Sequence, residues 1–123
     1  MKTVTVRADG FEGWVKRGRE RVRRIARKEK IEPEMTINFE SPLEMLECLS
    51  PERMRLFATA KGRAYSMSEL AAALKRDPKS VRRDVQKLER AGVLRAREAI
   101  NPGHGRVKIV EPVAERFELR ASF

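Results

Sequence analysis

The chain has 123 residues and carries 28 lysines and arginines against 18 aspartates and glutamates, a formal net charge of +10. This length holds one small domain, or one domain with an extension, and a pI near 10.5 indicates a polyanionic partner, either nucleic acid or an anionic membrane surface. The single cysteine, Cys48, excludes an internal disulfide, and no apolar run approaches the roughly 20 residues that span a bilayer, so a cytoplasmic protein is expected.

The charge is unevenly distributed along the chain. Residues 1–30 carry 11 basic and 4 acidic residues, whereas residues 31–60 carry 2 and 6. Residues 61–110 are again basic, with 13 basic and 5 acidic residues, and residues 111–123 carry 2 basic and 3 acidic residues. Two basic blocks are therefore separated by an acidic one.

The N-terminal third predicts a strand, a helix and a second strand. Alternating valines indicate a strand over Thr3–Arg7, and Asp9 followed by Glu12 has the spacing of a capping box. A strongly amphipathic helix follows over residues 10–28, and alternation predicts a strand over residues 35–39. On a helical wheel, one stripe of about 120° contains Phe11, Trp14, Val15, Gly18, Val22, Ile25 and Ala26.

The apolar stripe of helix 10–28 allows two interpretations. It can cover a small sheet, which we favour, or the basic amphipathic helix can lie on a membrane surface. A lone pair of strands is marginal in water, so the two strands beside this helix should pair with further strands.

Three helix starts in the centre of the chain share one chemistry. Each has a serine as N-cap and a glutamate close behind it, and two of them also have proline at the first helical position. They predict a short helix ending at Leu49 and helices over residues 51–60 and 67–74.

A basic helix is predicted over residues 78–91, with Asp77 as its cap and Gly92 just past its end. Val81, Val85 and Leu88 form one narrow stripe that predicts a buried seam. The other side is cationic and polar, and it contains Lys79, Ser80, Arg82, Arg83, Gln86, Lys87 and Arg90.

After Gly92 the pattern changes to that of strands. Residues 93–97 and 106–110 predict a β-hairpin with a flexible turn at residues 101–105, and residues 116–121 predict a last strand. Helix, helix, three-residue turn, basic helix and hairpin is the order of a winged helix-turn-helix. The predicted fold class is therefore α+β, with a strand–helix–strand extension over residues 1–45 and a winged helix-turn-helix domain over residues 46–123.

The stretch SMSELAAALKRDPKSVRRDVQKLERAGVLRARE, residues 66–98, resembles the helix-turn-helix and wing entry of MarR-like prokaryotic regulators. A longer pattern over about residues 36–121 is similar to a group of small DNA-binding winged-helix proteins with an N-terminal extension. The resemblance implies DNA-binding transcriptional control, and beyond that an antitoxin-like autorepressor that binds a small toxin protein and its own promoter.

Several residues are expected to contact double-stranded DNA. Arg83 and Gln86 face outward near the middle of the basic helix, so they are the best candidates for reading base edges. The hairpin should contact phosphates or the minor groove, with His104 and Arg106 nearest its tip. The full predicted set is Ser68, Lys75, Arg76, Lys79, Ser80, Arg82, Arg83, Gln86, Lys87, Arg90, Arg95, Arg97, His104, Arg106 and Lys108.

Other functions fit the sequence less well. Single-strand RNA readers use stacking aromatics, yet the basic blocks hold only Phe11, Trp14 and Tyr65. The only histidine lies between two glycines, with no Cys/His cluster and no glycine-rich phosphate loop, so neither an enzyme nor a metal or cofactor site is expected. Related regulators bind paired half-sites as dimers, and a homodimer is expected in which residues 1–45 and 113–123 supply most of the interface.

Overall fold

The computed structural model describes residues 2–31, 34–103 and 105–122 of the chain. The chain divides into two compact units, one of residues 1–46 with 116–123 and one of residues 47–115. The fold class is α+β, a winged helix-turn-helix with a strand–helix–strand extension, as predicted. The predicted division at residues 1–45 and 46–123 differs from the observed one at its C-terminal end, because the last strand is hydrogen-bonded to the first.

The first unit contains the elements β1 (Thr3–Arg7), α1 (Gly10–Ala26), β2 (Met35–Asn38), α2 (Pro42–Cys48) and β6 (Arg116–Arg120). Its strands form a parallel three-stranded sheet in the order β2-β1-β6. Val4 pairs with Met35 on one side and with Phe117 on the other, so the expected pairing of the first two strands with a further strand is confirmed. The helix α2 spans the residues at which the chain passes from the first unit to the second.

The apolar stripe of α1 does not cover this sheet, so that prediction is wrong. No residue of α1 is buried, and Phe11, Trp14, Val22 and Ile25 are each at least 58% exposed. A cleft of about 740 Å³ separates the helix from the sheet.

The side of α1 that faces this cleft carries mainly charged residues, and Trp14 and Gly18 of the apolar stripe lie at its edge. Arg17, Arg21 and Arg24 line the cleft opposite the threonines of β1 and β2. Asp9 makes no side-chain cap, so the predicted capping box is also wrong. Its carboxylate pairs instead with Arg17, which donates a second hydrogen bond to Asn38 Oδ1 at 2.8 Å.

The second unit has the order of a winged helix-turn-helix, with the elements α3 (Pro51–Ala60), β3 (Tyr65–Ser66), α4 (Met67–Leu74), α5 (Pro78–Ala91), β4 (Leu94–Asn101) and β5 (Gly105–Pro112). Its strands form an antiparallel sheet in the order β3-β5-β4. The predicted bounds of its three helices are confirmed. The strand β3 was not predicted, because two residues are too few to show alternation, and both hairpin strands extend beyond the predicted ranges.

The core of the second unit lies among its three helices and the base of the hairpin. Each fully buried leucine or valine there stabilises the fold by about 1.5–3 kcal/mol. The predicted seam of α5 is part of this core. The fully buried side chains are Leu56, Leu70, Val81, Val85, Leu88 and Val110.

Candidate nucleic-acid interface

Capping interactions fix the residues at which α4 and α5 begin. Ser66 Oγ accepts from the Glu69 backbone N–H at 3.2 Å, and Glu69 Oε1 accepts from the Ser66 N–H at 3.1 Å, which confirms the predicted capping box. Hydrogen bonding of the Glu69 carboxylate to the backbone and side chain of Ser66 lowers the pKa of Glu69. Asp77 Oδ2 accepts from the Ser80 N–H at 3.2 Å, and Pro78 occupies the first turn of α5.

The turn between α4 and α5 consists of three residues. Its first residue, Lys75, has φ 54° and ψ 44°, the left-handed conformation that ends a helix abruptly. Gly92 ends α5 with φ 90°, as its position predicts. The start, the end and the preceding turn of α5 are therefore all set by local interactions.

The helix α5 has one buried seam and one cationic face. Val81, Val85 and Leu88 are 0% exposed, while the opposite side lies in solvent. Within the part of the chain that the structure describes, none of the cations on that side forms an ion pair. The cationic face of α5 comprises Lys79, Arg82, Arg83, Lys87 and Arg90, with Gln86 among them.

Asp84 lies on the inner side of α5 and is only 8% exposed. Its Oδ1 accepts from Arg53 Nε at 3.1 Å, and its Oδ2 accepts from Arg76 Nη2 at 2.7 Å. Burial raises the pKa of Asp84, but the hydrogen bonds from Arg76 and Arg53 outweigh burial and hold this pKa below its ordinary value. Arg53 also donates to the backbone carbonyls of Glu47 and Cys48 at 2.8 and 3.1 Å.

This buried cluster joins α3, the turn and α5, and so it orients the cationic face. Arg53 was missed in the sequence, where nothing distinguishes it from the arginines that are exposed. Arg76 also donates to Ser80 Oγ at 2.7 Å, and its side chain is 22% exposed. The structure thus gives Arg76 and Ser80 an intramolecular role, and their contact with DNA stays a prediction.

The hairpin of β4 and β5 is longer than its sheet. β3 pairs only with Ile109 and Val110, so the pairs from Glu98–Lys108 onward form a free two-stranded ribbon. Each hairpin strand has eight residues, a length of about 27 Å at the usual strand rise. This ribbon is the wing.

The register divides the predicted wing contacts between two faces. Residues opposite one another in an antiparallel pair point to the same side. Arg106 and Lys108 therefore share the face that carries the buried Leu94 and Val110 at its base. Arg95 and Arg97 project from the other face.

The arginines of the wing are ion-paired within the chain. Arg95 and Arg97 both contact Glu111 Oε1, at 2.9 and 3.4 Å, and Arg106 contacts Glu98 at 3.2 Å. Burial raises the pKa of Glu111, but the hydrogen bonds from Arg95 and Arg97 outweigh burial and hold this pKa below its ordinary value. These pairs are solvent-exposed, so phosphate oxygens can replace their carboxylates at little cost.

The remaining predicted residues are more widely placed. Ser68 and Lys75 are exposed at α4 and the turn, while His104 lies outside the described residues. Ile100, which sequence reasoning passed over, is 83% exposed opposite Arg106. Among the described residues no group of His, Cys, Asp and Glu could hold a metal ion, and no described helix has the length and apolarity to cross a membrane.

The order of elements, with a cationic second helix and an adjacent hairpin, defines a winged helix-turn-helix protein. The chain belongs to the HVO_A0114 family, whose model matches residues 48–115. That match contains the whole helix-turn-helix and the wing. No curated protein matches the chain.

Solved structures with a similar fold cover part of the chain. A possible transcriptional regulator from Methanosarcina mazei is 22% identical over 58% of this chain, with a TM-score of 0.49, and the chain spans 63% of its length. M. tuberculosis Rv0081 is 26% identical over 61% of this chain and 77% of its own, with a TM-score of 0.48. A DNA complex of a ZitR mutant from Lactococcus lactis is 13% identical over 85% of this chain and 66% of its own, with a TM-score of 0.47.

Proposed function

We propose that this chain is a sequence-specific DNA-binding transcriptional regulator that inserts α5 into the major groove. The observation that carries the proposal is the cationic face of α5, whose charges make no ion pair among the described residues. Its opposite side is fixed in the core by three fully buried side chains. A helix that is rigidly anchored and presents only cations and an amide fits a groove about 12 Å wide, lined by phosphates.

Two side chains are assigned to base recognition. Arg83 and Gln86 lie in the middle of the cationic face, where a helix in the major groove reaches base edges rather than phosphates. Arginine makes bidentate contacts with guanine and glutamine with adenine, each giving about 1–3 kcal/mol of discrimination. The lysines at the ends of this face suit phosphate contacts.

The wing is assigned to contacts that do not depend on sequence. Arg106 and Lys108 project from the face whose base packs on the helices, so this face is the one we place toward DNA. Their expected targets are phosphates or a minor groove.

Replacing Arg83 with alanine tests the groove assignment. Binding is measured by fluorescence anisotropy on the chain's own promoter fragment and by selection from a random duplex library. Arg83→Ala should weaken binding by about 10-fold and relax the preference at one base position. Arg55, exposed on α3, is the matched control, and Arg55→Ala should leave both unchanged. Unaltered affinity and preference in Arg83→Ala would refute the assignment, and tighter binding to single-stranded RNA than to duplex DNA would favour the RNA alternative.

We also propose that the chain acts as a homodimer in which residues 1–45 and 113–123 supply most of the interface. One winged helix covers few base pairs, and two copies can occupy half-sites about one helical turn apart. A footprint with two protected half-sites is the expected result. A single protected half-site would contradict it.

A narrower role, as an antitoxin-like autorepressor, is supported by the sequence resemblance alone. It predicts that the chain represses a reporter fused to its own promoter, and that expressing it relieves the toxicity of a neighbouring gene product. Repression without any such relief would leave a regulator that is not an antitoxin.

A further inference from the structure

The helix α1 has an apolar surface that nothing in its own chain covers. It has 17 residues and none of them is buried. Phe11, Trp14, Val22 and Ile25 are 66%, 58%, 65% and 61% exposed. Amphipathic helices of this length take most of their stability from packing of the apolar face, and contiguous exposed apolar surface marks an interaction site.

The apolar stripe is symmetric about Gly18. Trp14 and Val22 lie four residues to either side of this glycine, and Phe11 and Ile25 lie seven residues to either side. All five positions fall on one side of the helix. Two antiparallel copies of such a helix, related by a two-fold axis through Gly18, present matching side chains to each other.

Gly18 lies at the edge of the cleft beside Trp14, and no close contact within its own chain requires a glycine there. A Cβ atom built at this position would have no atom within 4 Å. Glycine inside a helix weakens it relative to alanine, so an intramolecular account of Gly18 is lacking. Close approach of another helix at this point supplies one.

We propose that α1 is an interface between two copies of the chain, in which two α1 helices cross antiparallel at Gly18. The row formed by Trp14, Gly18 and Val22 is an i±4 ridge, and ridges of this kind interdigitate in the commonest class of helix packing. Trp14 would contact the partner's Val22, and Phe11 would contact the partner's Ile25. The stacked aromatic rings of Phe11 and Trp14, 5.8 Å apart, would flank the crossing point at Gly18 on one side, and the partner's rings would flank it on the other.

The charges of α1 are compatible with this pairing. Arg17 is bonded to Asp9 and Asn38, and Arg24 is bonded to Glu29 at 3.0 Å, so both cations are already compensated.

A second copy fits these observations better than an anionic membrane does. A membrane surface would make no use of the symmetry about Gly18, and it would gain nothing from a glycine at the centre of the stripe. The arginines that headgroups would need are partly occupied by Asp9 and Glu29.

The α1 pairing gives the proposed homodimer a specific interface. It rests on the proposed DNA-binding function only in that the dimer would be used to occupy paired half-sites. Sedimentation equilibrium without DNA tests the pairing by itself. Anisotropy on a DNA duplex with one half-site tests DNA binding by itself, so the failure of either proposal is distinguishable from that of the other.

Gly18→Leu in the full chain is the first test. Leucine favours helix over glycine, but it would collide with its symmetry mate, so the dissociation constant of the dimer should rise at least about 100-fold. Lys16→Leu adds the same side chain on the far side of the helix and should change this constant by less than about threefold. A Gly18→Leu protein that dimerises like the wild type would overturn the proposal.

Cross-linking tests the direction of the helices independently of that variant. In a Cys48→Ser background, Gly18→Cys should oxidise to a covalent dimer. A mixture of Trp14→Cys and Val22→Cys proteins should form the mixed dimer in preference to either homodimer. Preferential homodimers of Trp14→Cys would indicate parallel helices and overturn the proposal.

Tryptophan fluorescence can show whether a partner other than a second copy covers the apolar stripe. Trp14 is the only tryptophan, so its emission reports on the stripe alone. A wild-type chain that is monomeric at about 100 µM would overturn the proposal. A blue shift of Trp14 emission with phosphatidylglycerol vesicles in that case would assign the stripe to a membrane.

Discussion

Replacing Asp84 with asparagine removes the one charge that the guanidinium groups of Arg53 and Arg76 share. The side chain of Asp84 is 12% exposed, that of Arg53 15% and that of Arg76 22%, so neither arginine can be fully rehydrated in place. Removing one partner of a buried pair costs about 3–5 kcal/mol, and the partial exposure of the arginines places this case near 3 kcal/mol. That is a large part of the stability of a small domain.

Urea unfolding followed by circular dichroism at pH 7 measures this loss. Glu89→Gln is the matched control, since Glu89 lies on the same helix and makes no ion pair among the described residues. The control should change the free energy of unfolding by less than about 0.5 kcal/mol. If Asp84→Asn also changes the free energy of unfolding by less than this amount, the cluster does not hold α3 and α5 together.

The same pair of proteins gives a pH dependence with a definite sign. The pKa of Asp84 is lower in the folded chain than its ordinary value of 3.8. The stabilisation by its carboxylate is therefore complete above that value and is lost as the pH falls through the folded pKa. The difference between wild type and Asp84→Asn should be constant near neutral pH and disappear in acid. A difference that persists unchanged in acid would show that packing, not charge, accounts for the effect.

Two further perturbations concern the wing and the turn. Arg106→Ala should weaken binding to all duplexes alike and reduce the slope of log affinity against log salt by about 1. The reason is that Arg106 can exchange its exposed ion pair with Glu98 for a contact with one phosphate. A changed base preference would contradict this prediction. Lys75→Gly should raise the free energy of unfolding by up to about 1 kcal/mol, because Lys75 has φ 54°, a conformation that glycine adopts without strain. Thermal unfolding measures this gain in stability, and anisotropy on duplex DNA shows whether a phosphate contact is lost. An unchanged melting temperature would mean that the left-handed turn is not strained.

The helix-turn-helix could be predicted from sequence because its signals are local. Serine and aspartate caps, Pro78 and Gly92 mark the helix ends, and the spacing of Val81, Val85 and Leu88 gives the seam. Asp84 sits on the border of that seam in the sequence. Its burial depends on Arg53 and Arg76, which reach it from other elements, and no local pattern records that contact.

The extension was harder to predict because its organisation is not local. The alternation in β1 and β6 predicts strands, but their parallel pairing joins residues more than 100 positions apart. The pattern of α1 predicts an apolar stripe without saying which surface it meets. The structure turns the arginines toward the threonines of the sheet, where Asp9 and Asn38 bond Arg17.

The two basic amphipathic helices are similar on a helical wheel, and the contacts that each makes distinguish them. In α5 the apolar seam is buried and, among the described residues, the cations on the outer face have no carboxylate partner. In α1 several arginines have carboxylate partners, and the apolar side chains are the ones left in solvent. The uncovered groups define the complementary surface, because cations without counter-charges attract phosphates whereas exposed aromatic and aliphatic groups are stabilised only by other apolar groups. One basic protein can therefore carry two amphipathic helices with different partners, α5 for nucleic acid and α1 for a second copy of the chain.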